Sequence, residues 1–243
     1  MVKKIKFYLL TLIISIISAR AVLISIDDFE RDINIYSLSD LMVQYCSLLL
    51  IGFFILPFLL MILNSLNKKY ENFNAILSYK SRERIYNNLV KDNILMCFKF
   101  VFFLTICVIA YYKLKYPNMA LINWDSTESY FSSLTNGTID IGFQWIVFLF
   151  MNGLLFASVV TSLFMIVITE YTGSKAYAWV IFLALMVNEM FFGKYAFLVG
   201  HALIQYDFVI YQGLILRYMA IGIIEIIVLY ALGKRAYLKK DFL

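Results

Sequence analysis

The sequence predicts an all-α membrane protein whose helices cross the bilayer several times. Hydrophobic residues make up 63% of the 243 positions and charged residues 15%, whereas about a quarter of the residues are charged in an ordinary soluble domain. The mean hydropathy is +0.81. The apolar runs are continuous rather than alternating, which is typical of membrane helices and argues against a membrane β-barrel. The chain has only 2 prolines, so little interrupts these helices.

The apolar runs predict six membrane helices in a single transmembrane domain over residues 1–243. The first run follows three lysines and continues past Ala19-Arg20-Ala21, which resembles a signal-peptidase site, so we expect a membrane helix rather than a cleaved signal peptide. Pro57 should kink the second helix, because proline removes a backbone donor and clashes with the preceding turn. The predicted helices cover residues 5–26, 41–63, 94–112, 141–168, 176–192 and 214–233.

Lysine and arginine residues are concentrated in three places: the amino terminus, the segment 64–93 and the carboxyl-terminal tail. The segment 27–40 is acidic instead. Because cytoplasmic loops of membrane proteins are rich in Lys and Arg, this distribution predicts a multi-pass protein of the cell membrane with both termini in the cytoplasm. The net charge of +5 is thus explained by topology, and we expect no nucleic-acid partner.

The longest basic segment, 64–93, joins the second and third predicted helices. Its residues Tyr70, Phe73 and Leu77 recur at helical spacing, which predicts one or two short amphipathic helices at the cytoplasmic face. Such a loop has two uses: it can lie on anionic membrane lipid, or it can dock a soluble partner. The cations of this segment are Lys68, Lys69, Lys80, Arg82, Arg84 and Lys91.

A second segment, 193–213, is too apolar for a free loop and too interrupted for a full membrane span. Its apolar run 195–204 has ~10 residues, the length of a re-entrant or interfacial helix. We expect it to dip into the outer leaflet before the last helix. A seventh span would instead place the basic carboxyl terminus outside the cell.

Four charged residues lie inside predicted membrane helices: Arg20, Lys99, Glu189 and Glu225. A charge inside a membrane helix costs at least ~2.5 kcal/mol, so each needs a partner or a role. Depth along the helices allows Arg20 to pair with Glu189 or Glu225, either as a structural tie or as a proton or substrate site. Lys99 lies near a predicted helix end, and we expect its ammonium to reach the interface.

Motifs for catalysis and nucleotide binding are missing from the sequence. It contains no G-x-x-x-x-G-K-[ST], H-E-x-x-H or G-x-S-x-G, so we expect neither an enzyme nor a bound cofactor. The three cysteines, Cys46, Cys97 and Cys107, lie in apolar runs, and there is 1 histidine. We therefore expect the cysteines to pack as small apolar residues rather than to form disulfides or a zinc site.

The layout of the whole chain resembles the type-2 ABC exporter permeases. Those proteins have six spans, two cytoplasmic termini, a helical connection between the second and third helices, and a re-entrant hairpin before the last helix. In addition, LSYKSRERIY (77–86) looks like the aromatic and basic stretch that ends this connection in small bacterial permeases for bacteriocin or lantibiotic export and immunity.

This resemblance implies a permease subunit of an ATP-driven exporter for an amphipathic substrate, such as a peptide or a lipid-like molecule. ATP and Mg²⁺ would bind to a separate ABC ATPase subunit, and a second permease subunit, identical or related, would complete the pore. The segment 64–93 would then hold the coupling helix that docks on the ATPase. The residues that the resemblance assigns to this coupling interface are Phe73, Ile76, Leu77, Tyr79, Arg82, Glu83 and Arg84.

Two other functions fit the same sequence. One is a membrane scaffold or sensor that transports nothing and recruits a partner through the basic segment 64–93. The other is an ion-coupled secondary transporter that uses Arg20, Glu189 and Glu225, a class in which inverted repeats are expected. Comparing the first three predicted helices with the last three shows no clear internal match.

Overall fold

The computed structural model describes residues 2–26, 33–71, 81–192, 197–204 and 206–239, and all the regular structure in these ranges is helical. The all-α prediction is thereby confirmed. A π-helical turn (Ile51–Ile55) joins α3 to α4, and a short 3₁₀ turn (Gly200–Ala202) precedes α9. The α-helices are α1 (Val2–Ser25), α2 (Leu38–Tyr45), α3 (Leu48–Leu50), α4 (Leu56–Glu71), α5 (Arg82–Lys115), α6 (Tyr130–Thr135), α7 (Phe143–Thr172), α8 (Lys175–Phe192), α9 (Tyr206–Ile210) and α10 (Gln212–Lys239).

The length and apolarity of several described helices are compatible with a membrane protein. Within the described residues, 5 helical stretches are long and apolar enough to cross a bilayer. Helix α8, with 18 residues, is not one of the five. The stretches are Lys6–Ser25, Leu48–Tyr70, Arg82–Lys115, Phe143–Thr172 and Ile215–Lys239.

The helices on either side of the basic segment extend well into it, which corrects the predicted boundaries. Helix α4 runs to Glu71 rather than 63, and α5 begins at Arg82 rather than 94. The Ser81 hydroxyl caps α5 by accepting a hydrogen bond from the backbone N–H of Arg84. Hydropathy shows where a helix leaves its apolar surroundings, whereas the capping hydrogen bond shows where the helix itself ends. The boundaries predicted from hydropathy therefore fall short of the helix ends in the structure.

The second predicted helix, 41–63, is divided in the structure. Helix α2 ends at Tyr45, and the hydroxyl of Ser47 starts a new helix by accepting from the backbone N–H of Leu50. The π-helical turn Ile51–Ile55 ends two residues before Pro57. A proline cannot donate to the helical ladder and crowds the preceding turn, so the irregularity predicted from Pro57 takes the form of this wider turn.

Helix α7 lies at the centre of the bundle. It packs against α4, α5, α8 and α10 and against the turn Gly200–Ala202. At Gly153 an added Cβ would lie 2.7 Å from the backbone oxygen of His201, so only glycine allows this approach of α7 to the turn. By contrast, α1 and α10 expose many large apolar side chains, as is expected of surfaces that face lipid or another membrane subunit.

Candidate functional site

Of the seven residues assigned to the coupling interface, three lie in the described part of the chain. Arg82 donates a 3.2 Å hydrogen bond to the backbone oxygen of Leu238, and Glu83 accepts one of 2.6 Å from Lys234. Arg84 is exposed. Two of the three side chains therefore contact α10. The other four residues, Phe73, Ile76, Leu77 and Tyr79, lie outside the described residues.

A second set of contacts joins α4 to α5 at the same end of the bundle. The phenol of Tyr70 donates to Asp92 at 2.6 Å and is 3.2 Å from the backbone oxygen of Asn88. Lys69 forms an ion pair with the same carboxylate oxygen of Asp92. Because Tyr70 is buried, these bonds hold the last turn of α4 against α5.

Two tyrosines complete the link to α10. The phenol of Tyr86 donates to the backbone oxygen of Tyr230 at 3.0 Å, and the phenol of Tyr230 donates to Asn87 at 2.8 Å. The two rings are 5.5 Å apart. With the Glu83–Lys234 pair, these bonds join α4, α5 and α10 into one unit where the basic segment connects α4 to α5. We call this unit the α4–α5–α10 clamp.

A cavity of about 230 Å³ lies beside the clamp, and we call it the vestibule. Five helices enclose it: α4, α5, α7, α8 and α10. Its surface is largely apolar, with polar groups on α4 and α7. The lining residues are Leu60, Leu63, Asn64, Asn67, Tyr70, Leu89, Ser162, Met165, Ile166, Thr169, Glu170, Lys175 and Tyr237.

The charges predicted to pair inside the membrane do not meet. Arg20 is exposed on α1, and none of the acidic residues that the structure describes is within ion-pair distance of it. Glu225 instead contacts the imidazole of His201 at 2.5 Å, with 5% of the histidine side chain exposed. The suggested pairing of Arg20 with Glu189 or Glu225 is therefore wrong. Each acid has a partner in the segment that precedes α10.

Glu189 is buried and holds a stretch of backbone that is not in a regular α-helix. Its carboxylate accepts from the backbone N–H groups of Phe197 at 2.8 Å, Leu198 at 2.5 Å and Val199 at 2.9 Å. A helix satisfies such donors internally, but an irregular segment among apolar side chains needs another acceptor. Glu189 provides it, which explains why an acid lies at this position in an apolar helix.

Lys99 is exposed, but it does not lie near a helix end as predicted. Since α5 begins at Arg82, Lys99 lies near the middle of this helix rather than near its start. Its side chain therefore points out of the bundle from the central part of a long helix. The position of the membrane along α5 decides how far the ammonium must extend.

Sequence reasoning missed a polar cluster at the opposite end of the bundle, around Asp40. The buried Asp40 carboxylate accepts from the backbone N–H and hydroxyl of Ser37, from the indole of Trp124 at 2.9 Å and from the phenol of Tyr206 at 3.1 Å. Trp124 stacks on Phe131 with ring centres 4.5 Å apart. Burial raises the pKa of Asp40 above its ordinary value, against the effect of these hydrogen bonds.

This Asp40 cluster joins three parts of the chain that are distant in sequence. It includes α2, the segment with Trp124 and α6, and the start of α9. Backbone bonds reinforce it: Leu38 donates to Ala120 at 2.9 Å, and Tyr130 donates to the carbonyl oxygen of Ile35 at 2.9 Å. The S-L-S-D sequence at 37–40 is a helix-start signal that could have indicated the capping role of Asp40, but it carries no information about Trp124 or Tyr206.

The cysteines are free and buried, as predicted. Among the described residues, no group of three or more His, Cys, Asp or Glu side chains is placed to hold a metal ion. Comparison with protein-family models, with curated proteins and with solved structures gives no match for this chain. The functional argument therefore depends on the geometry of the clamp and the vestibule.

Proposed function

We propose that this chain is the membrane-spanning permease subunit of an ATP-driven ABC exporter that moves an amphipathic substrate. The observation that carries the proposal is the α4–α5–α10 clamp beside the vestibule. The basic connection between α4 and α5 is the proposed docking site for the ATPase. Side chains on both sides of this connection are bonded to neighbouring helices rather than projecting freely.

The clamp gives a route by which movement of the connection would reach the vestibule. Helix α4 is held to α5 through Tyr70 and Asp92, and α5 to α10 through Glu83 and Lys234. The same three helices contribute walls of the vestibule. When an ATPase displaces the connection, the three helices move together and change the shape of the vestibule. Such a bonded element is what coupling between two sites requires.

Six spans with both termini in the cytoplasm form part of this proposal. Helix α8 is the sixth span: its 18 residues measure about 27 Å, close to the thickness of the hydrocarbon core. The segment 193–213 is the re-entrant element. Its turn contacts Gly153, about 15 Å along α7 from Phe143, and Glu189 satisfies three of its backbone donors.

The proposed function requires two protein partners. A separate ABC ATPase binds ATP and Mg²⁺ and docks on the connection between α4 and α5. A second permease subunit, identical or related, packs on an exposed apolar face of the bundle, and membrane lipid covers the rest. Exposed apolar side chains on α10 that are available for such contacts are Leu216, Ile223, Ile224, Ile227 and Val228.

The structure weakens one alternative. An ion-coupled transporter built on Arg20, Glu189 and Glu225 needs these charges in one site, but Glu189 binds backbone amides and Glu225 binds His201. A scaffold or sensor that recruits a partner through the basic connection remains the second candidate. It differs from the exporter in the partner that it binds.

Native purification in mild detergent, followed by mass spectrometry of bound proteins, tests the proposal. A P-loop ATPase should co-purify with the wild type and be lost from the Phe73→Asp and Leu77→Asp variants, while membrane insertion stays intact. Exposed Leu114→Asp, at the other end of α5, is the matched control and should retain the ATPase. A bound partner without an ATP-binding motif would favour the scaffold, and normal ATPase binding by both variants would contradict the docking face.

A further inference from the structure

We propose that a shallow groove on the surface of the bundle binds one anionic phospholipid, with the phosphate at Lys91 and an acyl chain along the apolar side chains beyond it. The groove lies between α5 and α10, and it is lined by Tyr230 and by one face of α5 from Asn87 to Phe98. We call it the α5 groove. The inference goes beyond the proposed function, because lipid binding requires neither an ATPase nor a second permease subunit.

Lys91 lies where α5 would enter the hydrocarbon core of a bilayer. The stretch 93–112 of α5 carries one charged residue, Lys99, and the next cation after it is Lys113. The distance from Lys91 to Lys113 along the helix axis is about 33 Å at 1.5 Å per residue, close to the ~30 Å thickness of the core. When α5 spans a bilayer, Lys91 is therefore at the level of the lipid phosphates.

Two donor groups at this end of the α5 groove are open to an anion. Lys91 is exposed and makes no hydrogen bond or ion pair within the described part of the chain. Asn87, one turn before it on the same face, accepts from the phenol of Tyr230 through its side-chain oxygen. Its NH₂ group therefore keeps two donors for another partner. A phosphate between this amide and the ammonium would accept charge-assisted hydrogen bonds from both groups.

The acid next to Lys91 in sequence does not neutralise this end of the groove. Asp92 accepts from Tyr70 at 2.6 Å and forms an ion pair with Lys69, both on α4, and it does not line the groove. A second exposed cation, Lys99, lies about two turns further along α5 and about 80° around the helix from Lys91. This surplus of positive charge favours an anionic head group over a zwitterionic one.

Beyond Lys91 the groove is apolar, and the apolar stripe is as long as one leaflet is deep. Ile94, Leu95 and Phe98 line the groove, and between 39% and 50% of each residue is exposed. Phe102 continues the stripe, and its ring stacks on that of Phe98 with the ring centres 6.3 Å apart. From Lys91 to Phe102 the helix rises about 17 Å, or about half of the ~30 Å core. An acyl chain can therefore follow this stripe from the phosphate level to the middle of the bilayer.

The charges of the groove favour a lipid over a second copy of this chain. In a dimer with two-fold symmetry, the same face of each subunit meets its twin. Such a contact on the α5 groove would bring Lys91 and Lys99 towards the same two residues of the partner. None of the residues described along the groove is acidic, so this repulsion would not be offset.

Native mass spectrometry of the purified full-length chain in mild detergent measures this binding without any partner protein. Phosphatidylglycerol and phosphatidylethanolamine with the same acyl chains are titrated separately. We expect the first phosphatidylglycerol to bind roughly fivefold more tightly, the effect of one lysine close to an anionic head group. Phosphatidylglycerol with a photoreactive chain should cross-link to α5 between Leu95 and Phe102.

Lys91→Gln tests the head-group site. This variant should lose the preference for phosphatidylglycerol and bind phosphatidylethanolamine as the wild type does. Lys68→Gln is the matched control, because Lys68 is exposed near the end of α4 at the same end of the bundle and does not line the groove. It removes the same charge and should keep the preference.

Phe98→Ala tests the acyl-chain site. It should weaken the binding of both lipids by a similar factor, since it removes apolar contact and leaves the donors for the phosphate in place. Phe191→Ala, at an exposed position of α8, is the matched control and should weaken neither. The four substituted side chains are exposed, so all four variants should fold, and their melting temperatures check this.

The inference is wrong if the wild type binds the two lipids equally, or if Lys68→Gln loses the preference as Lys91→Gln does. It is also wrong if the cross-links fall outside α5 and α10. A dimer that holds no lipid and is lost in Phe98→Ala would place a second copy on the groove instead. Selective lipid binding by a chain that co-purifies with no ATPase would support the groove and contradict only the exporter, so the two proposals fail separately.

Discussion

The phenol of Tyr86 on α5 lies directly over Gly233 on α10 and donates a 3.0 Å hydrogen bond to the backbone oxygen of Tyr230. An added Cβ at Gly233 would overlap the oxygen of this phenol. The close contact between α5 and α10 in the clamp therefore depends on a residue without a side chain.

Replacing Gly233 with Ala should destabilise the protein although alanine favours helix. Alanine gains up to about 1 kcal/mol over glycine in a helix, but overpacking of a buried contact typically costs about 1–3 kcal/mol. We expect a lower melting temperature in detergent, measured by intrinsic fluorescence.

The double variant Gly233→Ala with Tyr86→Phe is the decisive control for this contact. It removes the phenol oxygen that meets the new methyl group and should regain part of the lost melting temperature relative to Gly233→Ala alone. A double variant that is as unstable as the sum of the two single variants would contradict the described contact.

Replacing Asp40 by asparagine, its neutral isostere, should destabilise the protein. Each carboxylate oxygen of Asp40 faces an N–H donor, from the backbone of Ser37 on one side and from Trp124 on the other. In the Asp40→Asn variant the new NH₂ group would meet one of these donors whichever way the amide turns. This variant should therefore lower the free energy of unfolding by about 1–3 kcal/mol. The exposed Asp125→Asn is the control and should melt like the wild type.

The stability that Asp40 provides should also depend on pH. Burial raises the pKa of Asp40 in the folded chain above the ordinary value of 3.8 that it has in the unfolded chain. At a pH between the unfolded-state pKa and the folded-state pKa, the folded state therefore holds more protons than the unfolded state. Stability linked to Asp40 therefore falls as pH rises through this range and is constant above it. The melting-temperature advantage of wild type over Asp40→Asn should shrink from about pH 4 upward, and an advantage that grows would show a lowered pKa instead.

Glu189→Gln should loosen the segment that precedes α9. One oxygen of Glu189 accepts from Phe197 and Leu198 and the other from Val199, so a glutamine NH₂ must face at least one backbone donor. Loss of about 1–3 kcal/mol is expected. A Val199→Cys probe, at a position that is 1% exposed in the wild type, should become reactive towards maleimide. Glu128→Gln, on the surface, should leave this probe protected.

Arg20→Ala should have little effect on stability. The exposed Arg20 does not balance Glu189 or Glu225, so its removal leaves neither acid without a partner. The melting temperature should change by the equivalent of less than about 0.5 kcal/mol. A loss of several kcal/mol would instead support a structural ion pair of Arg20, one of the two roles that the sequence suggested.

The sequence was sufficient for the fold class because long apolar runs have few solutions in a membrane. It also located the polar and charged positions that need an explanation, including Glu189 and Glu225. It could not assign their partners, since depth along a helix does not specify which face a side chain occupies. The residues that contact these acids, His201 and the backbone of 197–199, lie in a segment without helical periodicity.

The Asp40 cluster was not predictable for a different reason. Asp40, Trp124 and Tyr206 are widely separated in the chain, and each has an ordinary local explanation as a cap or an interfacial aromatic residue. Their meeting depends on how the segment before α6 folds back over α2. The vestibule likewise depends on the packing of five helices, which no single stretch of sequence encodes.

The most direct test of the proposed exporter is ATP hydrolysis by the complex that purifies with this chain, reconstituted in nanodiscs. We predict hydrolysis above an empty-nanodisc background for the wild type and loss of that activity, with normal membrane insertion, for a Phe73→Asp and Leu77→Asp double variant. Absence of hydrolysis in an intact wild-type complex, or equal hydrolysis in wild type and double variant, would contradict the proposal that the α4–α5 connection couples this chain to an ATPase.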